Sequence, residues 1–223
     1  MTSAKYKLQR AEAVRAAARI FAEKGFHGSS TKDIAAELGI QQGSLYYYFS
    51  SKEEALEEVC LLGIRAYVHR MDAIAASGEP FEAKLLSVIT SHLTSYRENN
   101  EALKVHNDQR LYLPEERRTT LKELGSHYRE LLEGILKEGV DAGALRGTLD
   151  CHFAAQAIIG ICNAWGDHIV RDPNIDLFGI IYKCNDLLLN GFNERRRAGR
   201  TDEDQVKRHD PISGRQTTTL KGV

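Results

Sequence analysis

Residues 31–52, TKDIAAELGIQQGSLYYYFSSK, decide the fold. They read as a short helix, a turn at Gly39 and a second short helix over roughly Gln42–Phe49, which together form a helix-turn-helix. Thr31 stands where a hydroxyl caps the first helix, and Gly39 supplies the residue that closes it. Ile34, Ala35, Leu38, Ile40, Leu45 and Phe49 are the apolar anchors that hold two such helices at a fixed angle. The remaining side of the second helix carries Gln41, Gln42, Ser44, Tyr46, Tyr47 and Tyr48. These are uncharged hydrogen-bonding groups of the kind that meet base edges and phosphates.

Working outward, the chain stays helical. Upstream, Val14, Ala17, Ala18 and Phe21 repeat at i, i+3, i+4, i+7 until Gly25 ends the segment. Downstream, Ser51 with Glu54 has the form of a capping box and launches a long helix with Leu56, Val59, Cys60, Gly63 and Tyr67 on one face. Leu85, Ile89, His92 and Tyr96 form a further stripe, and so do Leu121, Leu124, Tyr128, Leu131 and Ile135. Pro80, Pro114, Pro173 and Pro211 fall between these segments, where proline is tolerated. No alternating pattern of strand length occurs, so the fold expected is all-α. It divides into a helix-turn-helix domain (1–52), a larger helical body (53–193) and a basic tail (194–223).

Two C-terminal segments differ from the rest. Residues 153–169 are apolar around the whole helix, and 177–192 carry a broad apolar face. A helix apolar on all sides is buried on all sides. As late elements of a modest domain, these two are expected to meet a second copy in a four-helix interface through Ile158, Cys162, Trp165, Ile181, Cys184 and Leu188. The tail holds Arg195, Arg196, Arg197 and Arg200 with few large apolar residues, and reads as a solvated charge run.

Composition narrows the function. The chain has 223 residues, 42% of them apolar and 27% charged, with a formal net charge of −1. That balance hides an asymmetry: residues 1–52 carry eight Lys and Arg against four Asp and Glu, whereas 53–193 carry fourteen against twenty-two. A basic head on an acidic body fits a protein whose head alone meets a polyanion. Apolar runs are too short to span a bilayer, and the N-terminus lacks the apolar core of a secretory signal, so a cytoplasmic protein without membrane contact is expected. Cys60, Cys151, Cys162 and Cys184 have neither disulfide-framework nor zinc spacing and read as small buried residues. No nucleophile elbow, Walker loop, dinucleotide fingerprint or zinc-protease helix occurs, so no enzyme, metal or cofactor is expected.

The residues that carry a family resemblance are Ala18, Phe21, Gly25-Phe26, then Thr31 and Asp33 leading into Ile34-Ala35, Gly39-Ile40, Gly43-Ser44-Leu45-Tyr46-Tyr47-Tyr48-Phe49, and Lys52-Glu53. Over about residues 10–60 the chain resembles the DNA-binding domain of the tetracycline-repressor (TetR) family of bacterial transcription regulators. It departs at Tyr48, where many members have His. The resemblance implies phosphate contact by Thr31 at a helix N-terminus. It implies entry of Gln42, Gly43, Ser44 and Tyr46 into the major groove, and a phosphate clamp by Tyr47, Tyr48 and Lys52. It further implies a homodimer with recognition helices roughly 34–36 Å apart, one DNA turn. Such a dimer represses transcription on double-stranded operator DNA and is released when a small-molecule effector enters the body.

Polar and amphipathic residues on the apolar faces of the body are the candidates for that effector: His92, Tyr96, His106, Asn107, Arg110, His127, Asn163, Trp165 and His168. The tract from His106 to Arg110 is similar to regulators of fatty-acid, sterol or aromatic catabolism, whose effectors are acyl-CoA thioesters. Phosphates of such a ligand would need Arg110, Arg117, Arg118 or Arg129. Two alternatives stay open on sequence alone: a helical-bundle enzyme with an accessory head, and a DNA-binding protein with no effector.

Overall fold

A computed structural model describes residues 4–191. Among them lie nine α-helices: α1 (Ala4–Gly28), α2 (Thr31–Glu37), α3 (Gln42–Leu45), α4 (Lys52–Ala75), α5 (Phe81–Glu98), α6 (Asn100–Gln109), α7 (Thr119–Asp141), α8 (Cys151–Arg171) and α9 (Leu177–Asn190). Short 3-10 turns, Arg110–Tyr112 and Glu115–Arg118, link α6 to α7. The tail with its arginines, and Pro211, lie outside the described residues.

The head forms because its apolar residues close around one point. Ala17, Phe21, Ile34, Ala35, Leu45, Phe49 and Leu56 are all buried there. Gly25 leaves helical geometry with φ 73°, which breaks the regular path of α1 before Phe26 turns back into the core. Three local readings need correction. Ser30, not Thr31, is the N-cap of α2: its side chain accepts from Asp33 N–H while Asp33 accepts from Ser30 N–H, a complete capping box. Helix α3 stops at Leu45, and Tyr46–Tyr48 form a turn, since Phe49 must fold back into the core. Ser51 does cap α4 through Glu54 N–H, but the Glu54 carboxylate returns to Ser50 rather than closing the box.

Helix α4 begins at Lys52, at the expected end of the head, and runs unbroken from there into the body. It packs against α1, α5, α6 and α7. Helix α6 lies against both α1 and α4, and the crossing with α4 is close: a Cβ on Gly63 would stand 2.8 Å from the Ala102 carbonyl oxygen. On the far side, α5, α7 and α8 pack against one another. Lys84, buried on α5, donates to Ala75 O at 3.0 Å and to Glu138 at 2.7 Å, which ties the ends of α4 and α7 to α5. Gly166 on α8 lets the Tyr96 ring lie flat against the helix, where any Cβ would overlap the ring.

Of the expected interface residues Trp165 is exposed, and the other five are corrected here. Ile158, Cys162, Ile181 and Cys184 are buried inside their own chain, and Leu188 is half-buried against the same core. What α8 and α9 present outward is a different face: Phe153 (71% exposed), Phe178 (81%) and Tyr182 (70%), with Ala157, Ala164 and Trp165. A helix apolar all round offers no moment to say which side its own core takes, so its pattern alone exchanges the two sides.

Candidate nucleic-acid face and ligand cavity

The nucleic-acid candidates fall into two groups, one exposed and one packed within the head. Gln42, Gly43, Ser44, Tyr46 and Tyr47 are exposed along α3 and the turn after it. Gln42 donates to the Thr31 hydroxyl at 3.0 Å, which brings the N-termini of α2 and α3 together. A Cβ on Gly43 would meet nothing within 4 Å, so its smallness serves no packing within the chain. Tyr48 is half-buried and packs with Tyr47 and Tyr6, and Tyr6 is a supporting residue that sequence reasoning missed. Lys52 is also more enclosed than expected: its Nζ donates to Ser29 O at 2.5 Å and sits 4.4 Å from the Phe26 ring centroid. Its charge is thereby fixed beside the start of α2.

The body contains a cavity of about 490 Å³ between α6, α7 and α8. Of the sequence candidates, His92, His106, Asn107, Arg110 and Asn163 line it. Tyr96 lies one layer behind, hydrogen-bonded to the wall. Three candidates are elsewhere and are corrected. His127 is on the outer side of α7, bonded to Asp72 at 2.6 Å. Trp165 and His168 are exposed on α8 with their rings 5.4 Å apart. Arg117 pairs with Glu57 of α4 at 2.7 Å rather than facing the cavity. Arg118 and Arg129, expected for a ligand's phosphates, also line the cavity, and so do Tyr67, Tyr128 and Gln156, which the sequence does not mark as ligand residues. These last three come from three separate helices, and no spacing along the chain announces their convergence.

Two features of the wall bear on what it can hold. The first is a buried network with ordered protons. Asn163 Oδ1 lies 3.0 Å from His92 Nε2 and accepts from the Tyr96 hydroxyl at 3.0 Å, while Asn107 Nδ2 donates to that hydroxyl at 2.9 Å. His92 Nδ1 is 3.0 Å from the Tyr128 hydroxyl. Since Asn163 Oδ1 can only accept, Nε2 carries the His92 proton, Nδ1 accepts from Tyr128, and the Asn163 amide N–H₂ is left as a donor. Burial pushes His92 down to about 4 and the Tyr96 and Tyr128 hydroxyls up, so the network is neutral. The second feature is charge: Arg110, Arg118, Lys122 and Arg129 line the cavity and no carboxylate does. Arg118 Nε and His106 Nδ1 are buried without a hydrogen-bond partner. Burial and the Arg110 charge together lower His106 to about 4.

A helix-turn-helix head with an exposed Gln-Gly-Ser-Tyr face, joined by one continuous helix to an α-helical body, defines a DNA-binding transcription regulator. Residues 13–59 match the family model for bacterial regulatory proteins of the tetR family, and residues 78–166 match that for a tetracyclin repressor-like C-terminal domain. The chain is 33% identical over 147 residues to the HTH-type transcriptional repressor KstR2 of Rhodococcus jostii, covering 66% of this chain and 72% of that protein. It is 26% identical over 186 residues to the fatty acid metabolism regulator protein of Bacillus subtilis, covering 82% and 94%. A crystal structure of the regulator FadR from Bacillus subtilis in complex with stearoyl-CoA superimposes with a TM-score of 0.69 at 27% identity, covering 82% of this chain and 99% of that one. The chain belongs to the tetR family of bacterial regulatory proteins.

Proposed function

We propose that the protein is a dimeric repressor that leaves its operator when an acyl-CoA thioester enters the body cavity. The observation that carries the effector class is the cavity's charge: Arg110, Arg118 and Arg129 line it beside Lys122, whose ion-pair partner Glu115 lies outside the lining, no carboxylate lines it, and Arg118 Nε is buried without a hydrogen-bond partner. A buried N–H without an acceptor is costly, and an anionic ligand supplies one. The cavity of about 490 Å³ is too small for a whole thioester of that class. The acyl end therefore goes inward, toward the Asn163 amide and Ile159. The nucleotide end stays at the mouth, beside exposed Lys122. The complex of the Bacillus subtilis relative with stearoyl-CoA supports the same class.

On the head, Thr31, Gln42, Gly43, Ser44, Tyr46 and Tyr47 contact the duplex, with Tyr48 and Lys52 acting as much through packing as through phosphate contact. The open Phe153–Phe178–Tyr182 face of α8 and α9 meets its copy in the dimer. Helix α6 connects the two functions. One side of it, with His106 and Asn107, walls the cavity together with Arg110 of the turn that follows; on the other, Gln109 donates to Phe21 O of α1 at 2.8 Å. The same turn stacks Tyr112 on Phe26 and sets it edge-on to His27. A ligand that moves α6 therefore moves the head, provided it prefers one head spacing over the other.

Calorimetric titration of the full chain with stearoyl-CoA, coenzyme A and stearate tests the effector class. Binding of the thioester that is weakened about tenfold or more by Arg118→Ala supports it. Equal binding by wild type and variant, or no thioester binding, would contradict it.

A further inference from the structure

We propose that the groove between α1 and α4 is a second ligand site, separate from the body cavity, that takes an amphipathic anion: an alkyl chain ending in a carboxylate or phosphate. The groove encloses about 560 Å³. Its floor is apolar, with Val14 and Leu62 separated by the small side chains of Ala11 and Ala66. Its rim carries Lys7, Arg15 and Arg65, all exposed, and none has an ion-pair or hydrogen-bond partner among the described residues. Arg10 also lines the groove but is already neutralised by Glu58 at 3.2 Å and Glu54 at 3.6 Å. Glu58 is the single carboxylate of the lining, so the rim keeps a positive excess above an apolar floor.

That pairing selects the occupant. Lys24, Lys104, Lys122 and Lys137 elsewhere on the surface each hold a carboxylate within 3 Å, whereas the groove's three cations wait for an external one. Nucleic acid fits one end only. Tyr6, at the lower end, leans on Tyr47 and Tyr48, but Arg65 stands thirteen residues along α4 from Lys52, about 20 Å at the helical rise. A duplex held at α3 does not reach it. An alkyl chain laid on Val14 and Leu62 does, with its head group between the rim cations. The site bridges α1 and α4, whose polar ties across this seam are the Arg10 ion pairs. An occupant therefore favours one angle between these helices, and through it one affinity for DNA.

Photolabelling of the full chain with a dodecanoate that carries a diazirine near its methyl end, followed by peptide mass mapping, tests the site. Crosslinks within residues 6–15 and 58–69 are expected. They should be competed by unlabelled dodecanoate or dodecyl phosphate, and the stronger competitor identifies the head group. The double substitution Arg15→Ala/Arg65→Ala, at two exposed positions, should reduce this labelling about tenfold. Arg118→Ala, in the body cavity, should leave it unchanged. Crosslinks confined to the body cavity, or groove labelling indifferent to the double substitution, would overturn the proposal. So would protection of Lys7 from lysine-modifying reagents by duplex DNA but not by either alkyl anion.

Discussion

Single residues set the tightest limits on this molecule. Gly63 is one: with its would-be Cβ at 2.8 Å from the Ala102 carbonyl, Gly63→Ala must push the backbones of α4 and α6 away from each other. We expect a loss of about 1–3 kcal/mol in urea denaturation, with the helical content of the folded state retained. The two enclosed histidines give a second expectation. His92 and His106 both fall from an ordinary 6.5 to about 4, because burial disfavours the imidazolium. The unfolded chain takes up these protons below about pH 6.5 and the folded chain does not until about pH 4, so stability is complete above 6.5 and declines between the two values. Each residue accounts for as much as about 3 kcal/mol of that decline. Because His106 Nδ1 has no hydrogen bond to lose, His106→Leu should flatten the acid limb measured by urea midpoints from pH 7 to pH 5. An unchanged slope would mean that His106 is free to protonate in the folded chain.

At the scale of helices, the proposed link between cavity and head runs through α6, and Gln109 isolates it. Gln109→Leu removes the bond to Phe21 O without touching the cavity lining. Effector affinity should stay within about threefold of wild type, while the effector's influence on DNA affinity shrinks. Full retention of that influence would move the coupling to α4. On α3 and its turn, Tyr47→Ala should lower DNA affinity about tenfold with a stability loss of at most about 1 kcal/mol, since the side chain is 72% exposed and touches the Tyr6 and Tyr48 rings. Lys52→Ala should lower both, because its ammonium also holds Ser29 O. The elements themselves were legible in the sequence. Leu85, Ile89, His92 and Tyr96 share one face because the helical period alone dictates it, and all four are buried. The end of α3 was not legible, because Phe49 reaches the core through a turn rather than through helical periodicity. Cavity residues could be found only where they interrupted an apolar stripe, as His92 does. Tyr67 and Gln156 reach the same cavity by the crossing of helices, which no local pattern encodes.

For the molecule as a whole, the open question raised by the sequence was which side of α8 and α9 stays uncovered. Phe178 and Tyr182 are, and a monomer would leave that apolar surface in water. Phe178→Glu with Tyr182→Arg should therefore yield particles of 25.0 kDa by light scattering instead of twice that mass. DNA binding should weaken with dimer loss, because each head reads only half an operator. A double variant that stays dimeric would place the interface elsewhere. The central claim joins all three scales: an occupied body cavity releases a head that reads DNA. It is tested most directly by fluorescence anisotropy of the full chain on the duplex upstream of its own gene, against a scrambled duplex, before and after addition of stearoyl-CoA. The predicted result is selective, salt-sensitive binding that the thioester abolishes and coenzyme A alone does not. Selective binding that persists unchanged at saturating thioester would contradict the claim.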